Sequence, residues 1–165
     1  MKKLYLLRHG KSSWNYNELS DFERPLNERG RRDVPFMAKL LLDLGIKPDL
    51  IISSPALRAY YTVRTVAGII DYPLEKIQTS ELVYEAGITE LMQLVSEVDD
   101  HNDSILIAGH NPGFTAFCNT LSDKYLDNIP TSGFVYIELN IDKWSEIKPE
   151  CGTLKLFEYP KKYSQ

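Results

Sequence analysis

The chain has 165 residues, enough for one domain with its own hydrophobic core, and 43% hydrophobic and 25% charged residues exclude a fibrous or disordered protein. The formal net charge of -4 argues against general affinity for nucleic acid, and no apolar run reaches the roughly 18 residues of a membrane span. Cys118 and Cys151 lie far apart without CxxC spacing, so they do not indicate a zinc site. We therefore expect a single domain over residues 1–165, located in the cytoplasm.

The first third of the chain alternates between a strand pattern and a helix pattern. Residues 4–7 form a short apolar run that predicts a buried strand. Residues 27–44 carry apolar side chains at helical spacing, and Gly45 ends this predicted helix. A second strand is predicted over residues 49–53, and Pro55 after it is compatible with the first turn of a helix. These patterns predict two strand-to-helix units.

The same alternation continues to the C-terminus. Residues 88–98 have helical spacing, residues 104–108 predict a third buried strand, and a helix is predicted over residues 114–121. Two later segments, FVYIEL and TLKLFEY, alternate in the manner of paired strands and predict an antiparallel part of the sheet. The predicted fold class is α/β, a three-layer sandwich with a mostly parallel central sheet.

Polar segments containing His, Arg, Gly or Ser follow the three predicted buried strands. They are RHG at residues 8–10, SSPALR at residues 53–58 and GHNPG at residues 109–113. Ligands of open α/β sheets bind beyond the carboxyl ends of the strands, so the three segments can meet in one crevice. Guanidinium forks match phosphate oxygens, and a neutral imidazole can attack phosphorus. The side chains that predict such a phosphoryl site are Arg8, His9, Arg58 and His110.

These three segments, in this order and at this spacing, resemble the landmarks of the histidine phosphatase superfamily. The segments RHGKSSW and SDFERPLNERGRRD, together with the short length, resemble its SixA-like phosphohistidine phosphatases. The resemblance covers the whole chain and implies a phosphoglycerate mutase-like fold. It agrees with a mechanism in which His9 attacks the phosphoryl group in line and water then hydrolyses the phospho-His9 intermediate. Arg8, Arg58 and His110 neutralise the charge on the equatorial oxygens.

Four further polar residues are candidates for the site. Ser12 and Asn15 either donate hydrogen bonds to the phosphate or cap the turn that follows the first strand. Larger members of the superfamily have a glutamate proton donor after the second landmark, and Glu85 in LVYEAG falls near that place. Asp21 is the other candidate proton donor, and either acid can instead be a solvated loop residue. His101 and the cluster from Arg29 to Arg32 are expected to be exposed and outside the site.

Three alternatives remain beside the phosphohistidine phosphatase. A metal site built from His9, His110 and a carboxylate is disfavoured because two guanidinium groups would repel the cation, so we expect no metal and no cofactor. The others are a small-molecule phosphomonoesterase or mutase of the same fold and a non-catalytic phosphate-binding module. No long insertion is left over to form a lid, which favours a phosphorylated protein as substrate. We expect a monomer with no nucleic-acid or membrane partner.

Overall fold

The computed structural model describes residues 1–16 and 18–164, and within them the chain forms a six-stranded sheet between two layers of helices. The order of the strands across the sheet is β3-β2-β4-β1-β5-β6. The strands are β1 (Lys2–Arg8), β2 (Leu50–Ser53), β3 (Gln78–Thr79), β4 (Ser104–Gly109), β5 (Phe134–Leu139) and β6 (Gly152–Glu158). This arrangement confirms the predicted fold class.

The sheet has a parallel part and an antiparallel part, as predicted. Strands β1, β2, β3 and β4 run parallel, whereas β5 pairs antiparallel with β1 and with β6. Every residue of β4 is buried, because helices cover both faces of the sheet at its centre. The sequence patterns missed β3, since its two exposed polar residues carry no apolar signal.

Two helices pack on each face of the sheet. The helices are α1 (Glu28–Asp43), α2 (Leu57–Ile69), α3 (Ile88–Ser96) and α4 (Gly113–Leu121). The predicted start and end of α1 are confirmed: the Asn27 side chain accepts a hydrogen bond from the Gly30 amide, and Gly45 takes the left-handed conformation after the helix. Pro55 lies before α2 rather than in its first turn, because Ala56, with φ -57° and ψ 136°, is still outside the helix.

The parallel strands deliver three segments to one edge of the sheet. Arg8 at the end of β1 is in register with Gly109 at the end of β4, and Ser53 at the end of β2 is in register with Ala108. The polar segments that follow these strands therefore leave the sheet side by side. Within the part of the chain that the structure describes, no helix has the length and apolar character to cross a membrane.

Candidate active site

His9 is held in a single orientation directly after β1. Its Nδ1 atom lies 2.7 Å from the carbonyl oxygen of Gly10. A carbonyl can only accept, so Nδ1 carries the proton and the lone pair of the neutral ring is on Nε2. The His9 amide donates to the carbonyl of Gly109, and the His9 carbonyl accepts from the amide of Ser132. The segment after β1 thus presents an imidazole with a fixed tautomer.

His110, after β4, lies beside His9. The centroids of the two rings are 5.2 Å apart. His110 Nε2 is 2.7 Å from the hydroxyl oxygen of Ser54, while its Nδ1 is buried and has no hydrogen-bond partner in the described chain. The ring of Tyr84 packs edge-on against His110 at 5.6 Å between centroids. The two histidines come from parallel strands in adjacent positions, so the strand register explains their proximity.

Two arginines complete the central group. Arg8 donates through Nη1 to the carbonyl of Ile129 at 2.8 Å. Arg58, in the first turn of α2, donates through Nη1 to the backbone carbonyl of Asp21 at 2.6 Å and through Nη2 to its carboxylate at 3.0 Å. The Nε atoms of both arginines are buried without a hydrogen-bond partner among the described residues. Both guanidinium groups therefore keep donors that the fold does not use.

The environment of the histidines favours their neutral forms. Burial lowers the pKa of His9 to about 3, and the neighbouring His110, Arg58 and Arg8 act in the same direction. Burial also lowers the pKa of His110 to about 4, with the charges of Arg58 and Arg8 adding to it. At neutral pH His9 is consequently an uncharged imidazole whose Nε2 can act as a nucleophile.

Ser12 and Asn15 lie in the loop after His9 and differ in burial. Ser12 is buried, and its hydroxyl oxygen accepts a hydrogen bond from Arg24 Nη2 at 2.8 Å. Asn15 is exposed, and its backbone N–H donates to the hydroxyl of Ser13 at 3.1 Å. Ser13 is therefore the residue that caps this turn. Contact of Ser12 or Asn15 with a phosphate stays a prediction.

The two candidate proton donors have different surroundings. Asp21 binds Arg58 and accepts a hydrogen bond from the hydroxyl of Tyr84 at 2.7 Å. Glu85 is exposed and has a positive φ of 57°, in the short loop that leads to α3. A Cβ atom at Gly113 would collide with the carbonyl of Ala86, so this loop packs tightly on the start of α4, near His110. Proton donation stays a prediction for both acids, and it requires Asp21 to leave Arg58.

Sequence reasoning missed Arg24 as part of the site, although the segment SDFERPLNERGRRD contains it. The Arg24 side chain is buried beneath the exposed indole of Trp14, with its guanidinium carbon 3.4 Å from the ring centroid. Its Nε and Nη1 atoms have no hydrogen-bond partner within the described residues. The local signal was ambiguous, because an arginine among other charged residues usually marks a solvated surface.

Ser54, Tyr84 and Ser132 were also missed as contacts of the histidines. Ser132 is buried, adopts a positive φ of 61° and binds the His9 carbonyl through its amide. No sequence signal distinguishes this serine. His101 is exposed, as predicted, and its Nδ1 atom lies 2.7 Å from the Asp99 carboxylate, a contact that was not predicted.

Most of the unpartnered buried polar atoms belong to Arg8, Arg58, His110 and Ser132, which neighbour His9. The buried side-chain nitrogen and oxygen atoms without a hydrogen-bond partner in residues 1–16 and 18–164 are Arg8 Nε, Arg24 Nε, Arg24 Nη1, Arg58 Nε, His110 Nδ1 and Ser132 Oγ. Four of these six atoms are arginine N–H donors, and leaving such a donor unpaired costs about 1–3 kcal/mol. An oxyanion between them would offset that cost. Over the same residues, no three His, Cys, Asp or Glu side chains are grouped to hold a metal ion.

Comparison with known proteins identifies the family. Residues 4–102, which include RHG and Arg58, match the family described as histidine phosphatase superfamily (branch 1). The chain belongs to the histidine phosphatase superfamily. It is therefore an enzyme of the phosphatase and mutase type, and the predicted resemblance is confirmed.

Several relatives are similar over most of the chain. An uncharacterised chloroplastic protein of Arabidopsis thaliana is 28% identical over 153 residues, covering 88% of this chain and 70% of the plant protein. An uncharacterised protein of Mycobacterium tuberculosis is 26% identical over 165 residues, covering 94% of this chain and all of its own length. A mitochondrial serine/threonine-protein phosphatase, Pgam5 of Drosophila simulans, is 36% identical over 88 residues, which are 52% of this chain and 29% of the fly protein.

Solved structures share the fold over nearly the full length. The SixA protein of Agrobacterium tumefaciens, a candidate phosphohistidine phosphatase, superposes with a TM-score of 0.82 at 27% identity, covering 96% of this chain and 98% of its own. The protein histidine phosphatase SixA in complex with tungstate superposes with a TM-score of 0.79 at 21% identity, covering 98% of this chain and 99% of its own. The likeness to these structures supports a SixA-like member of the superfamily.

Proposed function

We propose that this protein is a metal-independent phosphatase that removes the phosphoryl group from phosphohistidine on a protein, through a covalent intermediate on His9. The observation that carries the proposal is the hydrogen bond from His9 Nδ1 to the Gly10 carbonyl, which leaves Nε2 as the nucleophilic atom. The ring faces His110 at 5.2 Å, and the charges of Arg8 and Arg58 act on both rings. The SixA proteins of similar fold support the choice of substrate class.

The reaction proceeds in two displacements at phosphorus. His9 Nε2 forms a bond to phosphorus as the N–P bond of the substrate breaks, and the leaving imidazole takes a proton from solvent on its remote nitrogen. Water then attacks phospho-His9, the second N–P bond breaks, and inorganic phosphate and neutral His9 are released. The guanidinium groups of Arg8 and Arg58 and the His110 ring stabilise the charge on the equatorial oxygens.

The buried donors suit an anion in this position. In the resting site the pKa of His110 is lowered to about 4 by burial and by the arginines, which makes the ring neutral. A phosphoryl dianion beside it offsets the arginine charges and raises that pKa, so His110 can become a cationic donor when substrate binds. The site is therefore more complementary to an oxyanion than to a neutral ligand.

Two exposed aromatic side chains beside Arg24 and Asn111 support a protein substrate. Trp14, over Arg24, is 72% exposed, and Tyr125, near Asn111, is 77% exposed. Tryptophan and tyrosine are enriched in protein interfaces, whereas a small-molecule site encloses its ligand. We propose the protein acts as a monomer in the cytoplasm without nucleic-acid or membrane partners, and light scattering of the purified protein tests the monomer.

A substrate comparison tests the proposal. The protein should dephosphorylate a histidine-phosphorylated carrier protein with a kcat/KM about 100-fold above that for small alkyl phosphates. A chelator should leave this rate unchanged. Denaturing the enzyme during turnover should trap acid-labile phosphate on His9. Higher kcat/KM on small esters would favour the phosphomonoesterase alternative, and loss of activity with the chelator, restored by a metal ion, would overturn the metal-free mechanism.

A further inference from the structure

Asp21 holds one edge of the Arg58 guanidinium. The backbone carbonyl of Asp21 accepts from Nη1 at 2.6 Å, and its carboxylate accepts from Nη2 at 3.0 Å. A guanidinium is a rigid planar fork with a second edge, formed by Nε and Nη2. In Arg58 the Nε atom on that second edge is buried and has no hydrogen-bond partner in the described chain. One edge is thus occupied by the fold, and the other keeps a free donor.

Asp21 is itself held by residues from distant segments. The Tyr84 hydroxyl donates to the same carboxylate oxygen that binds Arg58, at 2.7 Å. Arg24 Nε lies 3.5 Å from the other carboxylate oxygen. Asp21 begins a short 3-10 helix, Asp21–Glu23, that contacts α2. The carboxylate therefore joins the loop after β1, helix α2 and the loop before α3.

The charge state of Asp21 agrees with a role as acceptor. Partial burial raises its pKa, but the hydrogen bond from Tyr84 and the charges of Arg58 and Arg24 outweigh burial and hold the pKa below its usual value. The carboxyl group is ionised at neutral pH. It cannot donate a proton from this state, and it can anchor a guanidinium.

We propose that Asp21 is a positioning residue that fixes Arg58 with its Nε–Nη2 edge toward the phosphoryl group, and that Tyr84 fixes Asp21. This inference deepens the proposed function and rests on its phosphoryl site. The charge of Arg58 lowers the pKa of both His9 and His110, so its guanidinium lies near the nucleophile. Loss of the anchor lets the long side chain sample other rotamers and weakens its bidentate contact.

Three roles for Asp21 give different results. A positioning residue affects every phosphorylated substrate and the binding of an oxyanion to the same degree. A general acid affects alkyl esters much more than phosphohistidine, because only the alkoxide needs a proton. If the Asp21 carboxylate instead competes with the substrate for Arg58, replacing Asp21 would make the protein bind an oxyanion more tightly.

The test compares Asp21→Asn with Glu23→Gln, a control in the same 3-10 helix. Glu23 accepts a hydrogen bond from Ser20 at 2.9 Å and has no hydrogen bond to Arg58 among the described residues. For Asp21→Asn we expect kcat/KM on a phosphohistidine protein and on p-nitrophenyl phosphate to fall equally, about 10- to 100-fold. The Kd for vanadate, measured by calorimetry, should rise by a similar factor. Glu23→Gln should leave all three quantities unchanged.

Two further variants keep the proposal testable if Asp21→Asn fails to fold. Tyr84→Phe removes the second hydrogen bond and should weaken vanadate binding about 2- to 10-fold. Asp21→Glu keeps the negative charge and should retain more vanadate affinity than Asp21→Asn. Thermal unfolding of each variant identifies those that are folded.

The outcomes separate this inference from the proposed function. Vanadate binding by Asp21→Asn or by Tyr84→Phe that equals the control overturns the positioning role, as does tighter binding or a loss confined to esters. If the wild-type protein does not turn over phosphohistidine but Asp21→Asn weakens vanadate binding, the substrate assignment fails and the positioning role stands. A wild-type protein that binds no vanadate contradicts both.

Discussion

Strand β1 carries a buried lysine at its start and a half-buried arginine at its end, and the two cations differ in their partners. Lys2 at its start donates to the carbonyls of Asp100 at 2.7 Å and Asn102 at 3.0 Å, and the indole of Trp144 donates to Asn102 beside it. Arg8 at the end of β1 donates to one carbonyl, that of Ile129, and its buried Nε has no hydrogen-bond partner in the described chain. The fold itself satisfies the first cation but not the second.

The different partners of Lys2 and Arg8 distinguish a structural end of the sheet from the end that carries the candidate site. A buried charge is costly unless hydrogen bonds or counterions compensate it. Around Lys2 the compensation comes from two backbone carbonyls of the loop before β4 and from the Asp103 carboxylate 3.5 Å away, so that end of the sheet is structural. At the other end the Nε donors of Arg8 and Arg58 and the Nδ1 atom of His110 have no hydrogen-bond partner in the described chain. Variants at the two ends should therefore separate stability from activity.

The largest effect is expected from removal of the nucleophile. His9→Asn should lower the turnover of a phosphohistidine protein by about 10⁴-fold or more, because the covalent intermediate can no longer form. Phosphoenzyme trapping by mass spectrometry should show none. The control is His101→Asn, since His101 is exposed and distant from the site. Substantial turnover by His9→Asn would identify another nucleophile.

A paired substitution tests the contrast between the two ends of the sheet. Arg8→Met should lower kcat/KM about 10²- to 10³-fold, because it removes a stabilising contact to the transition state. Its free energy of unfolding should change by less than about 1 kcal/mol, since Arg8 has no ion pair among the described residues and its partner, the Ile129 carbonyl, also accepts from the Asn111 side chain. Lys2→Met should instead cost about 1–3 kcal/mol of stability, with kcat/KM unchanged, because the Asp100 carbonyl loses its side-chain donor and the Asn102 carbonyl keeps only the Trp144 indole. Urea unfolding measures the free energy of unfolding of each variant, and steady-state kinetics measure kcat/KM. Equal changes of both quantities in the two variants would refute the contrast between the two ends of the sheet.

The pH dependence of stability sharpens the comparison. The pKa of His9 is about 3 in the folded protein, against about 6.5 in the unfolded chain, so below pH 6.5 the unfolded state binds more protons. The contribution of neutral His9 is full above pH 6.5 and is lost as the pH falls toward 3. Between pH 6 and 4.5, the free energy of unfolding should fall less steeply in His9→Asn, by about 1 kcal/mol per pH unit. Equal slopes of the free energy of unfolding against pH in the wild type and in His9→Asn would show that folding does not lower the pKa of His9.

The smallest effect is expected from Glu85→Gln. Phosphohistidine leaves as an imidazole that solvent can protonate, so its kcat/KM should fall less than about threefold. An alkyl phosphate needs a proton donor, and any activity on it should fall further, toward the roughly 10²-fold of general acid catalysis. A hundredfold loss on phosphohistidine would show that a dedicated acid is required.

Local sequence patterns were sufficient to predict the central strands of the sheet and the two histidines of the candidate site. The apolar run before Arg8 and the run SILIA predicted buried strands, because a parallel strand covered on both faces needs consecutive apolar residues. Their carboxyl ends placed His9 and His110 at one edge, and the structure confirms that these residues lie together. The two-residue strand β3 was missed because it is polar and exposed.

Only the tertiary structure assigned the partners of these residues. Asp21 reaches Arg58 across 37 positions and Tyr84 across 63, and no periodicity or motif encodes such pairings. The orientation of His9 depends on the torsion angles that bring Nδ1 to the Gly10 carbonyl, and burial of Arg24 depends on Trp14 folding over it. Residue types and strand ends are local properties and could be predicted from the sequence. Tautomers, ion pairs and unpartnered donors arise only when distant segments pack together.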